Sequence, residues 1–174
     1  MIMAKESVAL LESKIDVSRV IDELNAALAE EWMAYYQYWT AAKTVRGIQR
    51  PELQREFMEH AADELRHASM VADRIIELEG VPVMVPQQWY QLGRCVYDQP
   101  TSYDAEYFLK VIRTAEECAM SRYAEIVAFT DGKDVITCDM AKRILIDEAD
   151  HEQDMQDYLD DICEFRCSIS DKKQ

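Results

Sequence analysis

Helix-breaking residues are scarce in this chain of 174 residues: there are four glycines and four prolines, and they cluster. Gly47 and Pro51 flank one break, Gly80, Pro82, Pro86, Gly93 and Pro100 mark a longer one, and Gly132 marks a third. No apolar run approaches the length of a membrane span. The opening stretch MIMAKESVALLESK lacks the long apolar region and small-residue cleavage site of a signal peptide, so a cytoplasmic location is expected. Basic residues are few, 19 against 34 acidic ones, for a net charge of −15. That balance argues against a nucleic-acid partner, and Lys172 and Lys173 form only a stub of basic tail. The five cysteines are an odd number without zinc-finger spacing, and no Cys-x-x-Cys pair is present to build a rubredoxin-type domain. In a reducing compartment their default state is the free thiol.

What is present is length without interruption. Four stretches between the breakers predict helices A at about 18–46, B at about 51–79, C at about 103–130 and D at about 134–165. Short helices are expected near residues 5–13 and in PQQWYQLGR. Ser18 and Asp134 are candidate N-caps, and Pro51 suits the first turn of B. The A–B and C–D breaks are short and imply antiparallel pairs. The B–C link is long enough to cross a bundle, so the chain predicts an all-α four-helix bundle with one long crossover containing a short helix. It reads as one domain over 1–174, with an N-terminal extension 1–17 and a C-terminal tail 166–174.

Only three histidines occur, and two of them stand in the same pattern, Glu64-x-x-His67 and Glu148-x-x-His151. Residues three apart share a helix face, so each pair offers a carboxylate and an imidazole to one point. At 3–4 spacing the buried stripe of A runs Leu24, Leu28, Glu31, Tyr35, Tyr38, and that of C runs Leu109, Ile112, Glu116, Ala119, Tyr123. In B it runs Phe57, Ala61, Glu64, Ala68, Val71, and in D Ala141, Leu145, Glu148, His151, Met155. Each helix thus places one glutamate on its apolar side. Glu117, beside Glu116, shares a face with Lys110, Arg113 and Ser121 and is assigned to solvent. Four buried carboxylates near one another need positive charge. No Lys or Arg lies in the stripes, so the partner is a metal, and this ligand set suits iron or manganese. One Glu from each of two helices with Glu-x-x-His from the other two is a di-iron carboxylate pattern. The spacings agree: 33 residues separate Glu31 from Glu64 and 32 separate Glu116 from Glu148.

These segments resemble the ferritin-like superfamily. LNAALAEEWMAYYQYW is similar to helix A of bacterioferritins, and ADELRH and IDEADH to their two Glu-x-x-His segments. The run AEECAMSRYAEIVAFTDGKDVITCDMAKRILIDEADHE resembles the Dps-like branch called thioferritins, and the resemblance covers about residues 18–162. It implies a ferritin-like bundle with a bacterioferritin-like di-iron site (two iron ions per subunit) in a hollow dodecameric homo-oligomer. The implied activity is ferroxidase: oxidation of Fe(II) by H2O2 or O2, iron storage and protection against oxidative stress. A di-iron oxidase or peroxidase acting without storage is the alternative. The resemblance implies Glu31, Glu64, His67, Glu116, Glu148 and His151 as metal ligands and catalytic residues, with Glu64 and Glu148 bridging. It implies Cys95 and Cys118 as a redox thiol pair, and leaves Cys138, Cys163 and Cys167 unassigned. Leu65 stands where bacterioferritins carry a haem-binding methionine, so no haem is expected. Lys5 and Lys14 do not make the lysine-rich tail with which some Dps proteins bind DNA. Dps proteins typically build their iron site between subunits; the complete internal set here makes that unnecessary. Tyr38, on the face of Glu31, reads as a core tyrosine, with bonding a ligand or supplying an electron as the alternative; His60 and Asp63 read as a solvated face beside the site, with passage of iron between site and cavity as the alternative.

Overall fold

A computed structural model describes residues 5–171 other than 96 and 98; Lys172 and Lys173 lie outside the described residues. A short α1 (Lys5–Glu12) precedes α2 (Val17–Thr44) and α3 (Arg50–Glu77). One 3₁₀ turn (Pro86–Gln88) and α4 (Trp89–Leu92) lie in the crossover, followed by α5 (Ala105–Thr130) and α6 (Val135–Asp171). The long helices α2, α3, α5 and α6 are the expected A to D, and α2 packs along α3 as α5 packs along α6. The fold is the all-α four-helix bundle with a long crossover.

Local chemistry explains most of the boundaries. Asp104 caps α5 by accepting from the Tyr107 N–H at 2.9 Å, and Asp134 does the same for α6 from the Thr137 N–H at 3.1 Å. Pro51 sits in the first turn of α3. The cap of α2 is Asp16 rather than Ser18: its carboxylate accepts from the Arg19 N–H at 3.1 Å, which leaves Ser18 inside the first turn. Both residue types cap well, so packing decides, and this start buries Ile15, Val17 and Val20 together. At the other end α6 runs to Asp171, past the expected stop near 165, so residues 166–171 are helix and not tail. No Gly or Pro follows Gly132 to end it earlier.

The crossover runs the length of α2. Near its start Asn25 bonds the backbone of Val81 (3.2 Å) and Val83 (2.7 Å). Just past its end the Arg46 N–H donates to the Tyr103 carbonyl at 2.7 Å. Asn25 and Arg46 are about 30 Å apart along a helix. The α5–α6 turn instead closes tightly on Gly132, at φ +69°. A methyl group there meets no atom within 4 Å, so only the left-handed backbone is in question. Gly132→Ala is expected to cost about 1 kcal/mol in a urea titration; an unchanged midpoint would show that the turn relaxes.

The core falls into two apolar halves. Leu24, Leu28, Val71, Ile75, Ile126 and Ile144 fill one, and Tyr38, Phe57, Leu109, Ile112 and Met155 the other. Between them lies a layer of glutamate and histidine, with Glu31 following Leu28 along α2 and Glu148 following Ile144 along α6.

Candidate metal centre

Helical spacing delivers one carboxylate from each long helix to this layer, and α3 and α6 add an imidazole. Glu31, Glu64, His67, Glu116, Glu148 and His151 all meet there, none more than 4% exposed. Their donor atoms form two overlapping groups, each within 4.8 Å: Glu31, Glu64, His67 and Glu148, and Glu64, Glu116, Glu148 and His151. Glu64 and Glu148 belong to both. His67 Nδ1 stands 3.1 Å from Glu148 Oε1 and 3.6 Å from Glu31 Oε2. His151 Nδ1 stands 3.2 Å from Glu64 Oε1 and 3.5 Å from Glu148 Oε2. These atoms are close, yet Glu31 Oε2, Glu64 Oε1, His67 Nδ1, both Glu148 oxygens and His151 Nδ1 make no hydrogen bond. Buried polar atoms without partners are expensive. Six aimed at one point, from carboxylates and imidazoles, fit a pair of cations.

The electrostatics show the same demand. Burial pushes the Glu31 and Glu116 carboxyls up, and the Glu148 and Glu64 charges push the same way. Burial pushes on Glu64 too, but the two imidazoles outweigh it and hold its carboxyl at about 2. Burial opposes charge on His151, yet Glu148 and Glu64 hold it up at about 11. His67 is raised in the same way, by Glu148, Glu31 and Glu64 against burial. The cluster draws positive charge to itself.

Outer contacts orient these side chains. His67 Nε2 lies 3.1 Å from Asp147 Oδ2, and Arg66 donates to that same oxygen at 2.9 Å. Tyr38 donates its hydroxyl to Glu116 Oε1 at 2.6 Å, so it is both a core tyrosine and a partner of the site. Tyr123 donates to Glu31, a contact its place in the apolar stripe did not reveal. Glu117 is exposed beside Arg113, as its face implies. His60 overturns its reading as solvated: it is 5% exposed, stacked on Tyr38 and edge-on to His151 with centroids 4.2 Å apart. Burial, with His151 nearby, holds its pKa down at about 4, so the ring is neutral. Asp63 does lie at the surface, paired with Arg66.

Cys95 and Cys118 are joined by a disulfide, Cα–Cα 5.7 Å. Cys95 lines a cavity of about 20 Å³ together with Glu31, Gln37, Glu64, Glu116 and Tyr123, room for about one water. The crossover is pinned here by Glu30, whose Oε1 accepts from the Arg94 N–H at 2.7 Å and the Cys95 N–H at 3.4 Å. Arg122 holds Glu30 in turn from α5, at 2.9 and 3.0 Å. Neither Glu30 nor Arg122 is visible in the stripes. The bridge closes a loop of sequence separation 23, for which chain entropy predicts about 3 kcal/mol. A reductant is therefore expected to lower the urea midpoint of the parent chain and leave that of Cys118→Ser unmoved.

A family model described as ferritin-like domain matches residues 21–164. The chain is 30% identical over 149 residues to a DNA protection during starvation protein of Pyrococcus furiosus, covering 83% of this chain and 79% of that protein. It is 27% identical over 135 residues to a bacterioferritin of Desulfovibrio desulfuricans, covering 77% and 70%. The solved bacterioferritin-related protein from Bacteroides fragilis, described as a dodecameric thioferritin, superposes with a TM-score of 0.93 at 56% identity, over 95% of this chain and 98% of that one. Dps from Thermosynechococcus elongatus shares the fold, with a TM-score of 0.79 at 16% identity over 88% and 94%. With a match spanning all four long helices, the chain belongs to the ferritin-like domain family.

Proposed function

We propose that this protein oxidises Fe(II) with H2O2 or O2 at a di-iron centre within each subunit, consuming the oxidant, and stores the product. The observation that carries this reading is the set of six buried donor atoms without hydrogen-bond partners, converging from α2, α3 and α6, with Glu116 of α5 completing the layer. Glu31 and His67 would hold one iron and Glu116 and His151 the other, with Glu64 and Glu148, common to both groups, shared between them. Iron bound there as a pair gives up two electrons at once: two Fe(II) each lose one, and H2O2 takes both, with two protons, to leave as two waters.

The side chains do the rest. Asp147 and Arg66 hold the His67 ring with Nδ1 turned inward. Tyr38 and Tyr123 keep one oxygen each of Glu116 and Glu31 occupied and orient the other. The small cavity beside Gln37 leaves no room for an organic substrate, which favours iron oxidation over an oxygenase. Cys95, at its wall, and Cys118, bonded to it, give up two electrons and two protons to the same oxidants on forming their bond. The extent of the likeness to the Bacteroides fragilis protein supports assembly as a dodecameric cage.

The test is anaerobic Fe(II) titration followed by separate peroxide and oxygen pulses, with particle size measured on the same sample. About two Fe(II) per chain are expected to saturate the centre. Coordination needs neutral imidazole and ionised carboxylate, so loading releases protons and weakens as pH falls. Absence of saturable binding would overturn the reading. Turnover of peroxide without iron accumulation would instead favour a peroxidase that does not store iron.

A further inference from the structure

A second group of ligand-type side chains lies outside the centre. Glu56 and His60 stand one turn apart on α3, and Asp154 faces them from α6, with one donor atom from each within 4.8 Å. His60 Nε2 lies 3.4 Å from Glu56 Oε1 and 3.5 Å from Asp154 Oδ2. His60 is 5% exposed: its buried ring turns Nε2 to the two acids, and its Nδ1 has no hydrogen-bond partner. Tyr158 lies 3.3 Å from the other oxygen of Glu56 and can donate to it, which leaves Oε1 toward His60. The group forms one wall of an open recess of about 240 Å³ that His151 also lines. Arg66 is the single base among the lining residues, and it is tied to Asp63 and Asp147. Asp147 is about 10 Å along α6 from Asp154. No lysine or arginine of the recess therefore pairs with Glu56 or Asp154, and His151, the nearest other base, is turned to the centre through Nδ1.

We infer that Glu56, His60 and Asp154 form a third cation site, which takes a first-row divalent metal at the solvent edge of the buried centre. One imidazole with two carboxylates is a mixed nitrogen–oxygen set, which suits Fe(II), Co(II) or Zn(II) better than the all-oxygen preference of Ca²⁺ or Mg²⁺. The Asp154 side chain is 48% exposed, so the site opens to water while the centre behind it does not. His151 lines the recess and contributes to the centre, so a cation held here is one side chain away from it. Use of the site as a staging position for iron rests on the oxidation proposed above; the site itself does not.

The probe is Co(II), titrated anaerobically into the full chain at high enough salt to screen the acidic surface, with bound metal counted per chain. Asp154→Asn changes a half-exposed side chain and is the primary variant; His60→Ala is the second. About three cobalt ions are expected in the parent, two at the centre and one here, and about two in either variant. A parent total of three that persists in either variant overturns the site, as does a parent total of two unchanged by Asp154→Asn, which leaves the centre intact. A parent total of one that falls to none in Asp154→Asn keeps this site and removes the paired centre instead.

Discussion

Replacing Glu148 by alanine is expected to slow Fe(II) oxidation by at least ~100-fold and to reduce saturable loading from about two cations per chain to one or none. The size of the effect follows from position. Glu148 belongs to both donor groups, so its loss damages both metal positions, whereas loss of Glu31 or Glu116 strips one. Altering a mere outer partner of a ligand commonly costs 10–100-fold, so removing a shared ligand costs no less. Glu148 also faces both imidazoles, through Oε1 toward His67 and Oε2 toward His151, so the substitution unsettles them as well. Glu117→Ala is the control: its side chain is 52% exposed on the outer face of α5, and loading there is expected to equal the parent. Anaerobic titration and stopped-flow oxidation read both quantities, and a Glu148→Ala chain that still loads fully would end the di-iron reading.

The second large effect lies away from the centre. Arg74→Met is expected to destabilise the metal-free chain by ~3–5 kcal/mol, because it leaves Asp134 charged and buried. The Arg74 guanidinium donates to both Asp134 oxygens at 2.9 and 3.0 Å and to Thr137 at 2.8 Å, and Arg74 and Asp134 are each 2% exposed. A buried pair of this kind contributes little over an apolar replacement of both partners, but breaking one side is severe. Adding Asp134→Asn to Arg74→Met is therefore expected to recover part of the loss, since the buried charge goes while an N-cap side chain for α6 is kept. Urea titration in the presence of a chelator measures all three chains. A loss under about 1 kcal/mol for Arg74→Met would mean that the pair is solvated in solution.

The bundle was legible because its breakers are few and cluster in three places, and the carboxylate layer because an ionised side chain inside an apolar stripe is conspicuous at 3–4 spacing. Each of those signals is local to one helix. What escaped is set between helices. His60 sits one residue off the stripe position held by Ala61 and reads as surface; the Tyr38 and His151 rings cover it, and neither is near it in sequence. Arg74 and Arg122 flank apolar stripes as ordinary surface bases do, yet their acids, Asp134 and Glu30, come from partner helices 60 and 92 residues away. The α2 cap was misplaced by two residues because Asp16 and Ser18 serve equally by propensity, and burial of Val17 settles the matter.

The halves α2–α3 and α5–α6 repeat one design, in which Glu31, Glu64 and His67 correspond in order to Glu116, Glu148 and His151. The same correspondence, by sequence register, matches Glu56 and His60 to Met140 and Ile144, and Asp154 to Met70. One set of positions lines a hydrophilic recess; its match is greasy, with Ile144 wholly buried and Met70 and Met140 packed against the core. The order of elements repeats, but the chemistry does not. Side chains alone thus make one recess acidic and open to water while the matching positions are packed away from it.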